Sequence, residues 1–232
     1  MTGKQAHTLI LFDIDGTLVI SADNYGRRMF EEMAEHFFDK TISLEGYSFS
    51  GKTDRLIVSE VAAFADVSDD HLQHHEERIL EWIPGRLEEY LGKKQLILLP
   101  KVVELLDRLQ EKEDTTLALL TGNLPKCAEL KLGSVDLMKY FKFGSYGTIS
   151  RDRNDLGPAA LEIFKQMNDS GDLKVVIVGD AVPDVLVAKH IGAKCVITLT
   201  GRTSREEVAV HNPEIIFDDL SDTEQVLTAI YS

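Results

Sequence analysis

Residues 9–19 read LILFDIDGTLV, an apolar run that stops on two aspartates and a glycine. A continuous apolar run, rather than an alternating one, predicts a strand over His7–Phe12 that is buried on both faces, as in a parallel sheet. Side chains two apart on an extended segment point the same way, so Asp13 and Asp15 face one pocket. In open parallel sheets, ligands bind outside the carboxyl ends of the strands, which is where these two carboxylates stand. Asp15-Gly16 alone would be an ordinary turn. The full string at the end of a strand is what raises it above that.

Four further runs of the same kind follow, at Thr116–Leu120, Phe141–Tyr146, Lys174–Val178 and Cys195–Leu199, with a weaker one at Glu214–Phe217. Helical patterns separate most of them, including Pro100–Glu111, Gly157–Met167 and Pro183–His190. Strands alternating with helices predict an α/β fold, a parallel sheet with helices on both faces. The gap between the first two runs is too long for one crossover. Its apolar periodicity, in Tyr25–Phe38, Arg55–Phe64 and His71–Leu91, is helical. A structureless loop of that length inside a domain would be unusual. The expected organisation is therefore an α/β core of residues 1–20 and 96–232 with an all-helical insert over residues 21–95.

Two more strand ends carry chemistry. Residues 117–123, LALLTGN, place Thr121, Gly122 and Asn123 before a helix start at Leu124-Pro125, a plausible phosphate cradle. Taken alone, that tripeptide is equally an ordinary strand-to-helix turn. Residues 175–194, VVIVGDAVPDVLVAKHIGAK, place Asp180 and Asp184 four apart across a turn that opens a helix. Magnesium takes hard oxygen ligands and keeps several waters, so few protein groups suffice. Asp13 and Asp180 suit that role, and Asp184 would order the site from behind.

The formal net charge is -14, which disfavours nucleic acid as a partner, because phosphate backbones are met by basic patches. It does not disfavour a phosphorylated metabolite. Exposed charges beyond about 8 Å are largely screened, whereas groups in a pocket act at contact distance. No run reaches the roughly 20 apolar residues needed to cross a bilayer, and Met1 to His7 lack a signal-peptide pattern. With only Cys127 and Cys195, far apart, the expectation is a soluble cytoplasmic protein without a disulfide framework, monomer or homodimer.

DIDGTL, TGN and GDAVPDVLVAKHIG, in this order on the first, second and fourth strand runs, resemble the haloacid dehalogenase superfamily, nearest its phosphoglycolate-phosphatase-like branch, which also holds β-phosphoglucomutase. The resemblance covers essentially the whole chain. It implies a Rossmann-like core with a helical cap and a magnesium-dependent phosphatase for a small phosphorylated metabolite. It also implies a nucleophile at Asp13, an acid/base at Asp15, and phosphate contact at Thr121. Magnesium would sit at Asp13, Asp180 and the Asp15 carbonyl. A phosphomutase is the second reading, and a signalling module that merely holds phosphoaspartate is a third. Dehalogenation is disfavoured, because true dehalogenases usually lack the second aspartate.

One departure stands out. The family's third motif normally supplies a lysine, and here the segment is SRDRNDLGPAALEIF, residues 150–164, with none. Arg153 is the expected replacement and Arg151 its competitor; an arginine fork does not reproduce a lysine's point charge. In the insert, SGKTDRLI, residues 50–57, resembles a cap segment that reaches over the site. Lys52, Thr53, Asp54 and Arg55 are then candidate substrate contacts, although Thr53 reads equally well as a helix cap. His71, His74 and His75 read as a polar helix face rather than a metal site, and Trp82 as core.

Overall fold

The computed structural model describes residues 6–21, 23, 25–92, 96–168 and 171–232. Its main sheet has six strands in the order β5-β4-β1-β6-β7-β8, and every pairing in it is parallel. The strands are β1 (His7–Phe12), β4 (Thr115–Thr121), β5 (Gly144–Tyr146), β6 (Leu173–Gly179), β7 (Lys194–Thr198) and β8 (Ile215–Phe217). β1 lies at the centre, and its side chains divide between the two faces. Ile10 and Phe12 enter one core cluster, and Leu9 and Leu11 enter the other. All four are fully buried, worth about 1.5–3 kcal/mol each in transfer terms. This is why the sequence shows an unbroken apolar run.

Helices α4 (Val102–Gln110), α5 (Pro125–Gly133) and α9 (Thr223–Tyr231) cover the Phe12 face. Helices α6 (Leu156–Met167), α7 (Val182–Ile191) and α8 (Arg205–Ala209) cover the Leu11 face. The fold is thus the expected α/β arrangement. Differences arise at element ends. α4 starts at Val102 rather than Pro100, because Lys101 is left-handed at φ 58°. The strand expected over residues 141–146 is paired only at Gly144–Tyr146, following a 3-10 turn at Met138–Tyr140.

Between β1 and α4 the chain forms α1 (Tyr25–Phe38), α2 (Asp54–Phe64) and α3 (Asp69–Leu91). Met29, Met33, Val58, Val61, Ile79 and Ile83 pack these helices together in the same apolar cluster that covers the Phe12 face. The segment leaves and rejoins the core through a feature not anticipated from sequence, an antiparallel ribbon of β2 (Val19–Ser21) and β3 (Leu96–Leu98). The helical insert was expected to end at residue 95, which lies outside the described residues.

The start of α2 meets the core at a close seam. Asp54 N donates to Gly122 O at 2.7 Å, and the Thr53 hydroxyl donates to Arg151 O at 3.0 Å. A Cβ at Gly122 would stand 2.0 Å from the Lys52 carbonyl oxygen. The seam therefore requires a residue without a side chain there. Gly122→Ala is expected to cost roughly 1–3 kcal/mol of stability by overpacking. Urea unfolding of the two proteins measures it, and an unchanged midpoint would mean that the seam is not close-packed.

Candidate active site

The sheet order puts β4, β1 and β6 side by side, so the residues at their carboxyl ends become neighbours. Asp13 follows β1, and its N–H donates to Val178 O at 3.0 Å, which extends the ladder to β6 by one residue. Asp180 follows β6 directly, and Thr121 ends β4. Asp13, Asp15, Thr121 and Asp180 all line one cavity of about 380 Å³ between the sheet edge and the start of the helical insert.

Asp13, Asp180 and Asp184 are all buried, and each brings a carboxylate oxygen within 4.8 Å of the others. The cation at this cluster is Arg153, itself buried. Its Nη2 lies 3.1 Å from Asp13 Oδ2 and donates to Asp184 Oδ1 at 2.6 Å. Asp184 Oδ2 accepts from the N–H groups of Asp180 and Ala181, so both its oxygens are committed at the start of α7. Three carboxylates against one guanidinium leave a negative excess. Burial pushes the Asp13 carboxyl up to about 6, against the pull of Arg153 and helped by Asp184 and Asp15. Burial, then Asp184 and Asp13, push Asp180 well above the ordinary carboxylate range. Hard oxygen donors crowded this closely, with charge left over, fit a divalent cation. Gly16 allows the approach: its φ is +85°, and a Cβ would fall 2.4 Å from Asp180 Oδ2.

Beside this cluster stands a second one. Asn123 Nδ2 donates to Thr121 Oγ1 and to Asp15 Oδ2, both at 2.8 Å. Lys131, buried on α5, donates to Asp15 Oδ2 and to Asn123 Oδ1, both at 2.6 Å. Burial works against the ammonium, but Asp15 and Tyr25 outweigh it and raise its pKa. Sequence reading missed Lys131, since lysines are common on exposed helix faces. The available signal was its place on the stripe Cys127, Ala128, Lys131, Leu132, which is the buried face of α5.

The two arginines separate. Arg153 touches Asp13, whereas Arg151 points to the insert and pairs with Glu76 at 2.9 Å. The insert residues expected at the substrate are more divided. Thr53 is fully buried, accepts from Leu56 N as the cap of α2, donates its one proton to Arg151 O, and is not among the residues lining the cavity. Its reading as a substrate contact is corrected to that of a helix cap and seam residue. Lys52 lines the cavity, but its ammonium pairs with Glu60 and lies 4.1 Å from the Tyr47 ring centroid. Arg55 is not among the lining residues. His71 and His75 pack against Phe38, and among the described residues the histidines join no group with metal-binding spacing.

Asp54 lines the cavity while its Oδ2 accepts from Leu124 N at 2.7 Å. Burial pushes its carboxyl up to about 6 from 3.8, against the pull of Lys131 and the Leu124 N–H. The folded protein holds this proton across a window where the unfolded chain has already lost it. Stability therefore falls as pH rises from about 4 to about 6, by up to about 3 kcal/mol from this group. Asp54→Asn keeps the acceptor and removes the titration. Its stability advantage over the parent is expected to grow through that window, as followed by urea unfolding at each pH; a constant difference would contradict this.

With this geometry in view, comparison with known proteins is direct. Residues 7–192 match the family of haloacid dehalogenase-like hydrolases. The phosphoglycolate phosphatase of Pseudomonas fluorescens Pf0-1 is 27% identical over 223 residues, covering 93% of this chain and 78% of that protein. That of Photorhabdus laumondii is 26% identical over 230 residues, covering 92% and 89%. The fold is shared with a crystal structure described as a predicted phosphoglycolate phosphatase from Haemophilus somnus 129PT. The TM-score there is 0.72 at 19% identity, over 97% of this chain and 99% of that one. It is also shared with CbbY from Rhodobacter sphaeroides in complex with phosphate, with TM-score 0.70 and 18% identity over 93% and 96%. No helix among the described residues is long and apolar enough to cross a membrane. The chain belongs to the haloacid dehalogenase-like hydrolases, in the phosphoglycolate-phosphatase-like branch, and is a phosphoric monoester hydrolase.

Proposed function

We propose that this phosphatase is magnesium-dependent, acts on a small phosphorylated metabolite, and passes through a phosphoaspartate at Asp13. The observation that carries this reading is the buried cluster of Asp13, Asp180 and Asp184 around one guanidinium, at the carboxyl edge of the sheet. Magnesium, held by Asp13, Asp180 and the Asp15 carbonyl, would supply positive charge beside the transferring phosphoryl oxygens.

In the first step an Asp13 oxygen attacks phosphorus in line, forming the new P–O bond as the ester P–O bond breaks. Asp15 gives its proton to the departing oxygen. In the second step Asp15 takes a proton from water as that water attacks phosphorus, and free phosphate leaves with Asp13 restored. Arg153 holds the other side of Asp13 and offers charge to the phosphoryl group, in the place of the family's lysine. Thr121, Gly122 and Asn123 form the cradle at the end of β4. The insert excludes bulk water and reads the leaving group. Phosphoglycolate is the substrate named for the curated relatives, and it or a sugar phosphate is the first candidate here. Those relatives favour hydrolysis over mutase chemistry.

The test is phosphate release from a panel of small phosphoesters with magnesium present. Asp13→Asn is expected to remain folded by circular dichroism and lose at least about 10³-fold in turnover. Asp180→Ala is expected to be inactive at any magnesium concentration, and chelation is expected to silence the parent until magnesium is restored. Chelator-resistant turnover would reject the metal. Arg153→Ala is expected to lose roughly 10²–10³-fold, with partial recovery in Arg153→Lys. Arg151→Ala is expected to lose less than about tenfold, and the reverse ranking would reassign the cation.

A further inference from the structure

The phosphatase reading leaves one buried charge without a task. Lys131 has only 10% of its side chain exposed, although burying an ammonium is costly unless its donors are met. Two of them are met by hydrogen bonds, from Nζ to Asp15 Oδ2 and to Asn123 Oδ1. Asn123 closes the figure by donating from Nδ2 to the same Asp15 oxygen. Asp15 is the outlier in this group, with 44% of its side chain exposed where it meets the cavity. Its carboxylate sits on a loop beyond β1, so its orientation is set by what holds it.

We infer that Lys131 is the positioning residue of Asp15, locking one carboxylate oxygen so that the other meets the leaving-group oxygen. The inference rests on Asp15 being the acid/base. Two donors on Oδ2, from a side chain anchored in α5 and from one anchored at the end of β4, fix the plane of the carboxylate as one donor would not.

The experiment compares an alkyl phosphate, glycerol 3-phosphate, with p-nitrophenyl phosphate, whose good leaving group needs little protonation. Asp15→Asn first establishes the reading: its loss is expected to be far greater on the alkyl ester, measured as the rate of alcohol release during the first turnover. Lys131→Met is expected to slow first-turnover release of the alcohol from the alkyl ester by roughly 10²-fold and of nitrophenol from the aryl ester by less than about tenfold, with KM little changed. In the Asp15→Asn background, Lys131→Met is expected to add less than about threefold. Lys131→Gln, which keeps a donor near Asp15, provides a milder second variant with the same pattern at roughly three- to tenfold. Equal loss on both esters, an effect confined to KM, or an undiminished effect in Asp15→Asn would overturn the positioning role. An Asp15→Asn protein that loses both esters alike would overturn the acid/base reading itself, which the Lys131 variants alone do not address.

Discussion

Three buried carboxylates crowd together at the edge of the sheet, and the rest of the structure answers to that crowding. Like charges at such distances raise one another's pKa, and burial adds to the effect, as Asp13 and Asp180 show. A parallel sheet brings them together cheaply, because β1 and β6 are neighbours and both end at the same edge. Arg153 relieves part of the excess from the opposite side, and Asp184 spends both its oxygens on Arg153 and the α7 start. What remains uncompensated would favour a divalent cation, and with it the dianionic phosphoryl group of the proposed reaction.

The helical insert completes the site by contact with the same edge. The start of α2 is pinned by the backbone hydrogen bond from Asp54 N to Gly122 O and by Asp54 Oδ2 on Leu124 N, both directly beside Thr121 and Asn123. Gly51, at φ +67°, passes against Pro183 near Asp184. The residues proposed to cradle phosphate and the residues that dock the insert are thus the same few turns of chain. A phosphatase gains from that economy, since closing over the substrate and arranging the cradle become one event.

Much of this was legible in the sequence, for reasons that are local. The unbroken run before Asp13 encodes a strand buried on both faces, and the period of two places Asp13 and Asp15 together. Arg153 was found by its distance from the start of α6, although Arg151 fitted nearly as well until their partners, Asp13 and Glu76, separated them. What sequence did not show depends on contacts between distant segments. The ribbon of β2 and β3 is three residues on each side, too short for a period to register. Thr53 had two readings, and its choice of Leu56 N and Arg151 O is decided by packing across the seam. Lys131 lies 116 residues from the carboxylate it holds, and nothing along the chain announces the pair.

The central claim is that phosphate is carried on Asp13. It is tested most directly by acid-quenching the Asp15→Asn protein seconds after mixing with p-nitrophenyl phosphate and magnesium, followed by peptide mass spectrometry. The account predicts one nitrophenol released per protein and one phosphoryl group on Asp13, persisting because the water that would remove it lacks its base. Stoichiometric nitrophenol release with Asp13 unmodified, or with phosphate on Thr121 or a histidine, would contradict it.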